Sequence, residues 1–556
     1  MDLHIALGPI DWLIIAIYFI FILGIGLYLK RFADTGEGFF LGGRSNSAWV
    51  AGLAFLSANL GALELLGWTG GTVKYGMYAA HFYWIGAIPA MIFLGLYMMP
   101  FYYNSRIHSV PGYLKLRFDE RTRILNAISF AIMTVLMSGI NLYAMALVLR
   151  TFLGWNWDAC MWASAMTVAC YVTMGGLLSA IFTEIVQFFL IWFGLFLVAI
   201  LGFVEIGGPT EVMARMPETM THLWANSGSA SANAMEVTFS GIILGLGFVL
   251  SFGYWTTDFL VVQRAFSSKD LRSARLTPIL ASFFKMALPI IVIGAGLVAY
   301  ALVHDPASGF ALLRGADGGP DYNSALPLLI QRYYPTGLVG LGVTALLAGF
   351  MAGQAGNVTA FNTVWTYDIY RAVFNKDASD EHLVWVGRVT TVVGILLSVA
   401  TAYITMQFET IMDYVQAIFS WVNAPLFATM LLGMFWRRCT SAGAFWGLLA
   451  GMVVSFLLFL LPRLGLLDPS LFTFADSPSD MTRNLWQAVW AWVTTFGLTV
   501  AISLVTTGKS DAELTGLVKG LTPADTTSEK TGLLGSPGFW AIISLAVLIA
   551  LNIYFW

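Results

Sequence analysis

The stretch Ser57-Ala58-Asn59-Leu60-Gly61-Ala62-Leu63-Glu64-Leu65-Leu66-Gly67-Trp68-Thr69-Gly70-Gly71 decides the fold. It lies in an otherwise apolar segment, 49–73, which is long enough to cross a bilayer because a crossing needs about 20 residues. Its middle carries serine, asparagine and glutamate, and glycines follow. We expect this helix to unwind, which membranes tolerate only inside protein or beside a watery cavity. An interrupted membrane helix of this kind indicates the binding site of a secondary transporter.

The composition is that of a membrane protein with many spans. The 556 residues are 58% hydrophobic and 11% charged, with a mean hydropathy of +0.77; soluble domains carry about 25% charged residues. A net charge of −3 and the lack of a basic tract give no sign of a nucleic-acid partner. Cys160, Cys170 and Cys439 have neither metal-site spacing nor a paired framework. The N-terminus lacks the basic start of a cleavable signal peptide, so we expect the first span to be retained.

The apolar segments predict 14 spans. Most Lys and Arg residues fall in loops that an outside N-terminus places inside, which predicts a cell-membrane protein with both termini outside and an even number of spans. The polar stretch 509–534 is expected to tether the last span, and no signalling domain is expected after it. The predicted spans are 11–30, 46–73, 78–103, 124–153, 158–176, 178–206, 236–265, 273–303, 336–373, 383–405, 407–435, 441–463, 485–508 and 536–556.

A second interrupted span repeats the pattern of the first. It carries Ser251-Phe252-Gly253-Tyr254-Trp255-Thr256-Thr257-Asp258 and lies five spans further on. Because an odd offset reverses orientation, two broken helices at matching places indicate an inverted repeat. Two unrelated glycine-rich helices in tight packing would show the same composition. We predict an all-α membrane protein with five-helix units at 46–206 and 207–435, preceded by an extra helix (1–45) and followed by additional helices (436–556).

Four ionisable residues stand at membrane depth, where each costs at least about 2.5 kcal/mol and needs a reason. They are Glu64, Glu184, Asp258 and Lys285. In the functional interpretation, each of these residues accepts a proton or contacts the solute during transport. The structural alternatives are an Arg partner such as Arg264 for Glu184 or Asp258, snorkelling for Lys285, and backbone amides for Glu64. Uncharged polar candidates in the spans are Asn59, Gln354, Asn357, Asn362 and Gln416.

Enzyme motifs are missing from the sequence. There is no His-Glu-x-x-His, and Gly508-Lys509-Ser510 has Ser503 where a phosphate-binding loop needs its first glycine. We therefore expect a protein that is not an enzyme and that has no organic cofactor.

Several sequence motifs, taken together, are specific enough to point to one protein family. On them the chain resembles the sodium:solute symporter family, which includes the sodium/glucose cotransporters, over roughly residues 10–460. The resemblance implies a leucine-transporter-type 5+5 inverted repeat with one extra helix before it and further helices after it. The motifs are Phe39-Phe40-Leu41-Gly42-Gly43-Arg44, the opening stretch, Gly175-Gly176-Leu177 with Thr183-Glu184 and Gln187, Tyr254-Trp255 with Thr257-Asp258 and Val262-Gln263-Arg264, Asp368-Ile369-Tyr370, Asp413-Tyr414-Val415-Gln416, Phe435-Trp436-Arg437-Arg438 and Gly443-Ala444-Phe445-Trp446-Gly447.

The resemblance also implies the ligands of the principal sodium site. Backbone carbonyls of Ser57 and Leu60 match ligands in the first broken helix, and the carbonyl of Gly349 matches one in the ninth span. Two further positions, which carry hydroxyl side chains in the family, fall on Ala352 and Gly353, and neither offers a side-chain oxygen. Because sodium is a hard cation that takes oxygen ligands, we expect this site to be weakened.

A second cation position is implied beside the sixth span. The family's acid, usually aspartate, stands here as Glu184, next to Thr183. A cation could bind at this carboxylate, or the carboxylate could carry a proton.

The positions that surround substrate in the glucose cotransporters match this chain in part. Tyr83 stands where those proteins have glutamate, and Glu64 where they have histidine or glutamine, so the acid has moved across the pocket. Such a pocket suits a polar organic solute, either sugar-like or carboxylate-bearing. The resemblance places Asn59, Glu64, Tyr83, Tyr254, Trp255, Lys285 and Gln416 around the solute.

We therefore predict a secondary transporter that moves a small polar solute by alternating access, as an ion-coupled symporter. Its expected partners are the solute, a coupling cation and the lipid bilayer; the oligomeric state is left open. Proton coupling or uncoupled transport is the rival hypothesis, motivated by Ala352 and Gly353 beside the carboxylates Glu64 and Glu184. A solute sensor, a channel and a membrane enzyme are weaker alternatives.

Overall fold

The computed structural model describes residues 7–29, 39–40, 42–315, 318–406, 410–521 and 532–556. Some predicted features lie outside these ranges: Lys30 and Arg31 of the first inside loop, Leu41 of the Phe-Phe-Leu-Gly-Gly-Arg motif, the start of the span 407–435, and positions 522–531 of the stretch 509–534.

The described chain is a helical bundle with one two-residue antiparallel strand pair in a connection. The helices are α1 Pro9–Leu29, α2 Ala48–Asn59, α3 Ala62–Tyr75, α4 Phe82–Asn104, α5 Val110–Arg117, α6 Glu120–Leu153, α7 Trp157–Ile206, α8 Pro209–Ala214, α9 Gly241–Thr257, α10 Phe259–Phe266, α11 Leu271–Ala287, α12 Pro289–Val303, α13 Ala325–Tyr333, α14 Leu338–Phe374, α15 Asp380–Thr405, α16 Ile411–Phe435, α17 Ser441–Arg463, α18 Ser470–Thr473, α19 Asp480–Val505, α20 Asp511–Leu514 and α21 Pro537–Tyr554, with strands β1 Leu313–Arg314 and β2 Pro320–Asp321.

Polar side chains before the long helices set where these begin. Asp119 accepts a hydrogen bond from Thr122 N (2.8 Å) and so caps α6, and Thr410 caps α16 in the same way. At the other end of α6, Gly154 adopts a left-handed conformation (φ 68°) that glycine adopts without strain. Caps of this kind satisfy backbone groups that a helix end leaves unpaired.

The first predicted break is confirmed. Helix α2 ends at Asn59, α3 begins at Ala62, and the two are bent by 55°. Leu60 N still donates to the carbonyls of Leu56 and Ser57, which closes the end of α2. The peptide groups between the two helices therefore leave the helical pattern at the place where the polar residues and Gly61 stand in the sequence.

The second predicted break is confirmed as well. Helices α9 and α10 meet at Asp258 with a bend of 48°. Asp258 Oδ1 accepts from Leu260 N at 2.9 Å, so this carboxylate caps α10. The suggestion that Asp258 pairs with Arg264 is wrong, because Arg264 binds Glu184 instead.

Two predicted spans, 158–176 and 178–206, form one helix. Helix α7 runs for 50 residues, about 75 Å if straight at 1.5 Å per residue, which is more than twice the apolar thickness of a bilayer. Its second part, Leu177–Ile206, is long and apolar enough to cross by itself. The predicted spans meet at position 177, yet the backbone stays helical there.

The number of spans follows from the same helices. In the described ranges, 11 helices are long and apolar enough to cross a membrane, or up to 13 when each bent pair is one span. The predicted number of 14, which treats 158–176 as a span of its own, is not confirmed.

The C-terminus lies against a connection between two spans. The carbonyl of Trp556 accepts from Trp224 N and Ala225 N at 3.3 and 3.4 Å. An ion pair joins this connection to the connection that follows α12: a guanidinium nitrogen of Arg215 lies 3.0 Å from Asp305 Oδ2. These connections therefore share one end of the bundle.

The N-terminal helix starts at that same end. Asp11 Oδ1 accepts from Gly337 N and Gly340 N at the start of α14, both at 2.7 Å. Helix α14 follows the connection that holds Asp305. Both described ends of the chain therefore lie at one end of the bundle.

Candidate solute and cation site

A cavity of about 80 Å³ lies between the two broken helices. Helices α4, α6, α11, α14 and α16 complete its wall. Its lining combines polar and aromatic side chains, as expected of a small-molecule site. The described residues that line it are Ala58, Asn59, Gly61, Leu63, Glu64, Trp68, Phe82, Tyr83, Met137, Asn141, Leu250, Ser251, Tyr254, Trp255, Leu260, Lys285, Gly353, Asn357, Met412, Val415, Gln416 and Phe419.

All seven residues predicted to surround solute line this cavity: Asn59, Glu64, Tyr83, Tyr254, Trp255, Lys285 and Gln416. They come from six helices and are separated by up to several hundred positions in the chain. The structure thus brings the predicted set together, while its role in binding solute stays a prediction.

Lys285 organises the polar side of the cavity. Its ammonium group donates to Glu64 Oε1 and, at 2.5 Å, to Asn59 Oδ1. The side chains of Lys285 and Glu64 are only 3% and 6% exposed, so the pair is shielded from water. Snorkelling of Lys285 and capping of Glu64 by backbone amides, the two structural alternatives, are both wrong. Each buried charge has the other as its partner, as burial demands.

Aromatic faces complete the environment of the ammonium group. Lys285 Nζ lies 4.7 Å from the ring centroid of Tyr83 and 5.1 Å from that of Trp255. Tyr254 stacks on Phe419 with centroids 4.7 Å apart, and its hydroxyl accepts from Asn59 Nδ2 at 2.9 Å. The aromatic residues therefore form a wall whose position is fixed by polar contacts behind it.

The cavity carries no net charge on its described lining. Glu64 and Lys285 are the charged residues among those that line it, and they neutralise each other. The remaining lining offers a ligand amide groups, such as that of Gln416, together with hydroxyl groups and aromatic faces.

The predicted sodium ligands of the two helices also meet. An ideal Cβ on Gly61, at the first break, would lie 3.3 Å from Gly353 Cα and 3.7 Å from the carbonyl oxygen of Gly349. Leu60 stands at the same break, and Ser57 lies in the last turn of α2 just before it. Helix α14 therefore lies against the unwound segment, as the resemblance implies, but Ala352 and Gly353 bring no side-chain oxygen.

Thr183 and Glu184 are not among the described residues lining the cavity. Both oxygens of Glu184 contact Arg264, and both side chains are fully buried. The Thr183 hydroxyl donates to carbonyls of its own helix, Ser179 at 2.9 Å and Ala180 at 2.9 Å. The structure thus supports the alternative in which Glu184 pairs with an arginine. Glu64 and Glu184, the two carboxylates of the proton-coupling hypothesis, each have a cationic partner.

Sequence reasoning missed Asn141 of α6. It lines the cavity and is 2% exposed, and its Oδ1 atom has no hydrogen-bond partner within the described part of the chain. The available signal was an asparagine in the middle of a predominantly apolar span, where a polar side chain is costly in a membrane without a function.

Comparisons with known proteins agree with this architecture. The model of the sodium:solute symporter family matches residues 39–451. The chain is 26% identical over 481 residues to a sodium/glucose cotransporter of Vibrio parahaemolyticus, covering 84% of this chain and 88% of that protein. It is 29% identical over 482 residues to the human sodium/myo-inositol cotransporter, covering 81% and 66% of the two chains.

A solved structure shows the same fold. It is the substrate-bound, outward-open state of a sodium-coupled sialic acid symporter, with a TM-score of 0.75 at 19% identity over 90% of this chain and 99% of that one. The likeness confirms the predicted leucine-transporter-type architecture.

Proposed function

The chain belongs to the sodium:solute symporter family, and from that premise we propose that it moves a neutral, polyhydroxylated solute together with sodium. Membership makes the protein an ion-coupled symporter of small solutes in a membrane, with sodium as the coupling ion that the family supports. It is a transporter and not an enzyme. The solute class, the site residues and the orientation are the parts that we propose.

The pairing of Lys285 with Glu64 carries the proposal about the solute. A carboxylate-bearing solute would need an unpaired cation in the pocket, whereas Lys285 already binds a carboxylate of the protein. A neutral solute leaves this pair intact and avoids desolvating a further charge. We therefore favour the sugar-like alternative over the carboxylate-bearing one.

The other lining groups suit a ring that carries hydroxyl groups. Such a ring offers hydroxyls at its edge and carbon–hydrogen groups on its faces. Gln416 and Asn59 supply amide groups to the edge, and Tyr254 and Trp255 supply aromatic surface to the faces. Two relatives, described as transporters of glucose and of myo-inositol, point to the same class of solute.

Alternating access would move the two predicted units, 46–206 and 207–435, relative to each other. We propose that a contact between them closes one end of the cavity. Lys74 Nζ lies 3.1 Å from Asp413 Oδ2, the Tyr75 hydroxyl donates to Asp413 Oδ1 at 3.0 Å, and Met412, next to Asp413 in the chain, lines the cavity. These residues belong to α3 and α16, on either side of the cavity. Solute would enter from this end once the contact opens.

Sodium is the coupling ion in this proposal. The rival hypothesis of proton coupling depended on spare carboxylates at Glu64 and Glu184, and both carboxylates have cationic partners. We further propose that the protein lies in the cell membrane with both termini outside, because most Lys and Arg residues fall in the loops that the predicted spans put on the side opposite the termini.

Uptake into proteoliposomes tests the solute class. Purified protein would be reconstituted and given an inward sodium gradient with one labelled solute at a time: glucose, galactose, myo-inositol, gluconate or an amino acid. The proposal expects a neutral sugar or cyclitol to accumulate, and the same solute to be competed by other neutral polyols but not by gluconate. Accumulation of gluconate or of an amino acid in preference to every neutral polyol would contradict it.

A further inference from the structure

We propose that the side chain of Asn141 completes the sodium site, in place of the hydroxyl groups missing at Ala352 and Gly353. The inference deepens the proposed function, because it presumes that sodium is the coupling ion. It concerns a residue of α6, whereas the ligands implied by the resemblance lie on the first broken helix and on α14.

The orientation of the Asn141 amide is fixed by its own helix. Its Nδ2 atom donates to the carbonyl of Met137 at 3.3 Å. Because a carbonyl can only accept a hydrogen bond, the nitrogen must face Met137 and the amide oxygen must face the other way. The oxygen is therefore directed toward the contact between the first break and α14.

Distances place this oxygen at the predicted cation site. Asn141 Oδ1 lies 3.0 Å from the position of an ideal Cβ on Gly61 and 3.1 Å from that of an ideal Cβ on Gly353. The carbonyl oxygen of Gly349 lies 3.7 Å from the same point at Gly61. A side-chain oxygen and a backbone oxygen thus converge on one spot between the two helices.

The first break contributes the remaining oxygens. Unwound carbonyls and the C-terminal ends of half-helices are the groups that coordinate sodium in transporters of this fold. Helix α2 ends at Asn59, so the carbonyls of Ser57, in its last turn, and of Leu60, just after it, lie within four positions of Gly61, which Asn141 Oδ1 approaches. The donor set consists only of oxygens, which fits a hard cation.

Gly61 and Gly353, which lie next to the Asn141 oxygen, explain why an asparagine can serve as a ligand here. A side chain at either position would meet Asn141 Oδ1 at 3.1 Å or less, so two glycines are needed to admit the amide. The missing hydroxyl at Gly353 and the presence of Asn141 are therefore linked. The Asn141 oxygen, which comes from α6, occupies the space that a side chain at position 353 of α14 would fill.

The oxygen is otherwise unexplained. Asn141 is 2% exposed, and its Oδ1 has no hydrogen-bond partner in the ranges that the structure describes. A buried amide oxygen without a partner is unfavourable, and such atoms in native proteins commonly mark a missing ligand. A bound sodium ion would satisfy it.

The test compares sodium binding by three variants of the purified, full-length protein. Asn141→Leu removes the oxygen while keeping the number and branching of the side-chain heavy atoms, Asn141→Asp keeps an oxygen at the same place, and Thr134→Val is the matched control. Thr134 lies on the same helix and donates only to carbonyls of that helix, Phe130 and Ala131. The readouts are the rise in melting temperature on titration with sodium chloride against choline chloride, without solute, and the sodium concentration for half-maximal uptake.

We expect Asn141→Leu to raise the half-maximal sodium concentration about tenfold or more, as befits the loss of a ligand to a charged group. Asn141→Asp should keep the wild-type value or lower it, and Thr134→Val should keep it. An unchanged sodium titration in Asn141→Leu would overturn the inference, as would a change in solute affinity at saturating sodium without a change in the sodium titration. If Asn141→Leu fails to fold, Asn141→Asp decides, because a sodium affinity weakened tenfold there contradicts an oxygen ligand. A wild-type protein that does not respond to sodium at all would instead refute the proposed function.

Discussion

Gly353 packs against Gly61 backbone to backbone: an ideal Cβ on Gly353 would lie 2.9 Å from Gly61 Cα. The resemblance to the family puts a hydroxyl side chain at position 353, yet this contact leaves no room for one. The unwound segment and α14 approach each other more closely here than any residue with a side chain allows.

Gly353→Ser is therefore expected to impair the protein and not to restore a sodium ligand. Forcing a side chain into a packed contact costs about 1–3 kcal/mol, and here it would also displace the first break. Gly356→Ala is the matched control, since its Cβ would meet Leu260 at an ordinary 3.4 Å. Melting temperature and initial uptake rate are the measurements. A Gly353→Ser protein with wild-type stability and tighter sodium binding would refute this view.

The buried pair of Glu64 and Lys285 should be needed for stability as well as for transport. Lys285→Met leaves the Glu64 carboxylate buried without a partner, and breaking such a pair costs about 3–5 kcal/mol. The double variant Glu64→Gln with Lys285→Met removes both charges and should recover much of the lost stability. Uptake should stay abolished in both.

Thermal unfolding in detergent and uptake in proteoliposomes measure the two effects separately. If Lys285→Met is as stable as the wild type, the ion pair does not hold the site together. If the double variant transports normally, the pair does not contribute to solute binding.

The hydroxyl and the ring of Tyr254 should have separable effects. Tyr254→Phe keeps the stack on Phe419 but removes the acceptor of Asn59 Nδ2. One hydrogen bond contributes about 1 kcal/mol, so the apparent solute affinity should fall about fivefold with the maximal rate retained. Tyr254→Ala removes the wall itself and should nearly abolish uptake. Equal uptake kinetics in Tyr254→Ala and the wild type would exclude this residue from the solute site.

The contact of Asp413 with Lys74 and Tyr75 should control access to the cavity from one end. Asp413→Asn keeps the shape but removes the charge attraction to Lys74. The measurement is the reaction of Leu63→Cys, in the cavity lining, with a membrane-impermeant maleimide after Cys160, Cys170 and Cys439 are replaced. The reaction should be several-fold faster in the Asp413→Asn background.

Glu205→Gln serves as the control for that experiment. Glu205 forms an ion pair with Arg332 near the end of α7 and is not among the described residues that line the cavity. Its loss should leave the labelling rate unchanged. The gating role of Asp413 fails if both variants label at the rate of the parent protein.

The sequence predicted the breaks well because their causes are local. Polar residues and glycine in an apolar segment disturb a helix wherever it packs, so the interruption at Gly61 and that at Asp258 could be placed without any tertiary information. Long apolar segments likewise predicted where most of the long helices begin and end to within a few residues. The span boundary predicted at 177 was wrong, because the two glycines just before it permit an interruption of the helix but do not impose one.

The pairing of side chains was beyond the sequence. Glu64 and Lys285 were both singled out, but 221 positions separate them. Only the folded chain, in which α11 packs against α2 beside the first break, shows that each is the other's partner. The same holds for Glu184 and Arg264. Asn141 was missed because its meaning depends on the two glycines opposite it, which lie on other helices.

Coupling to sodium is the central claim, and one flux measurement tests it most directly. Proteoliposomes that contain the protein would receive a labelled neutral solute, accepted in the uptake screen, under an inward sodium gradient with equal pH on both sides. A second set would receive an inward proton gradient with sodium absent throughout. We predict accumulation above the equilibrium level in the first set and none in the second. Accumulation driven by protons without sodium, or sodium-independent equilibration in both sets, would contradict the account.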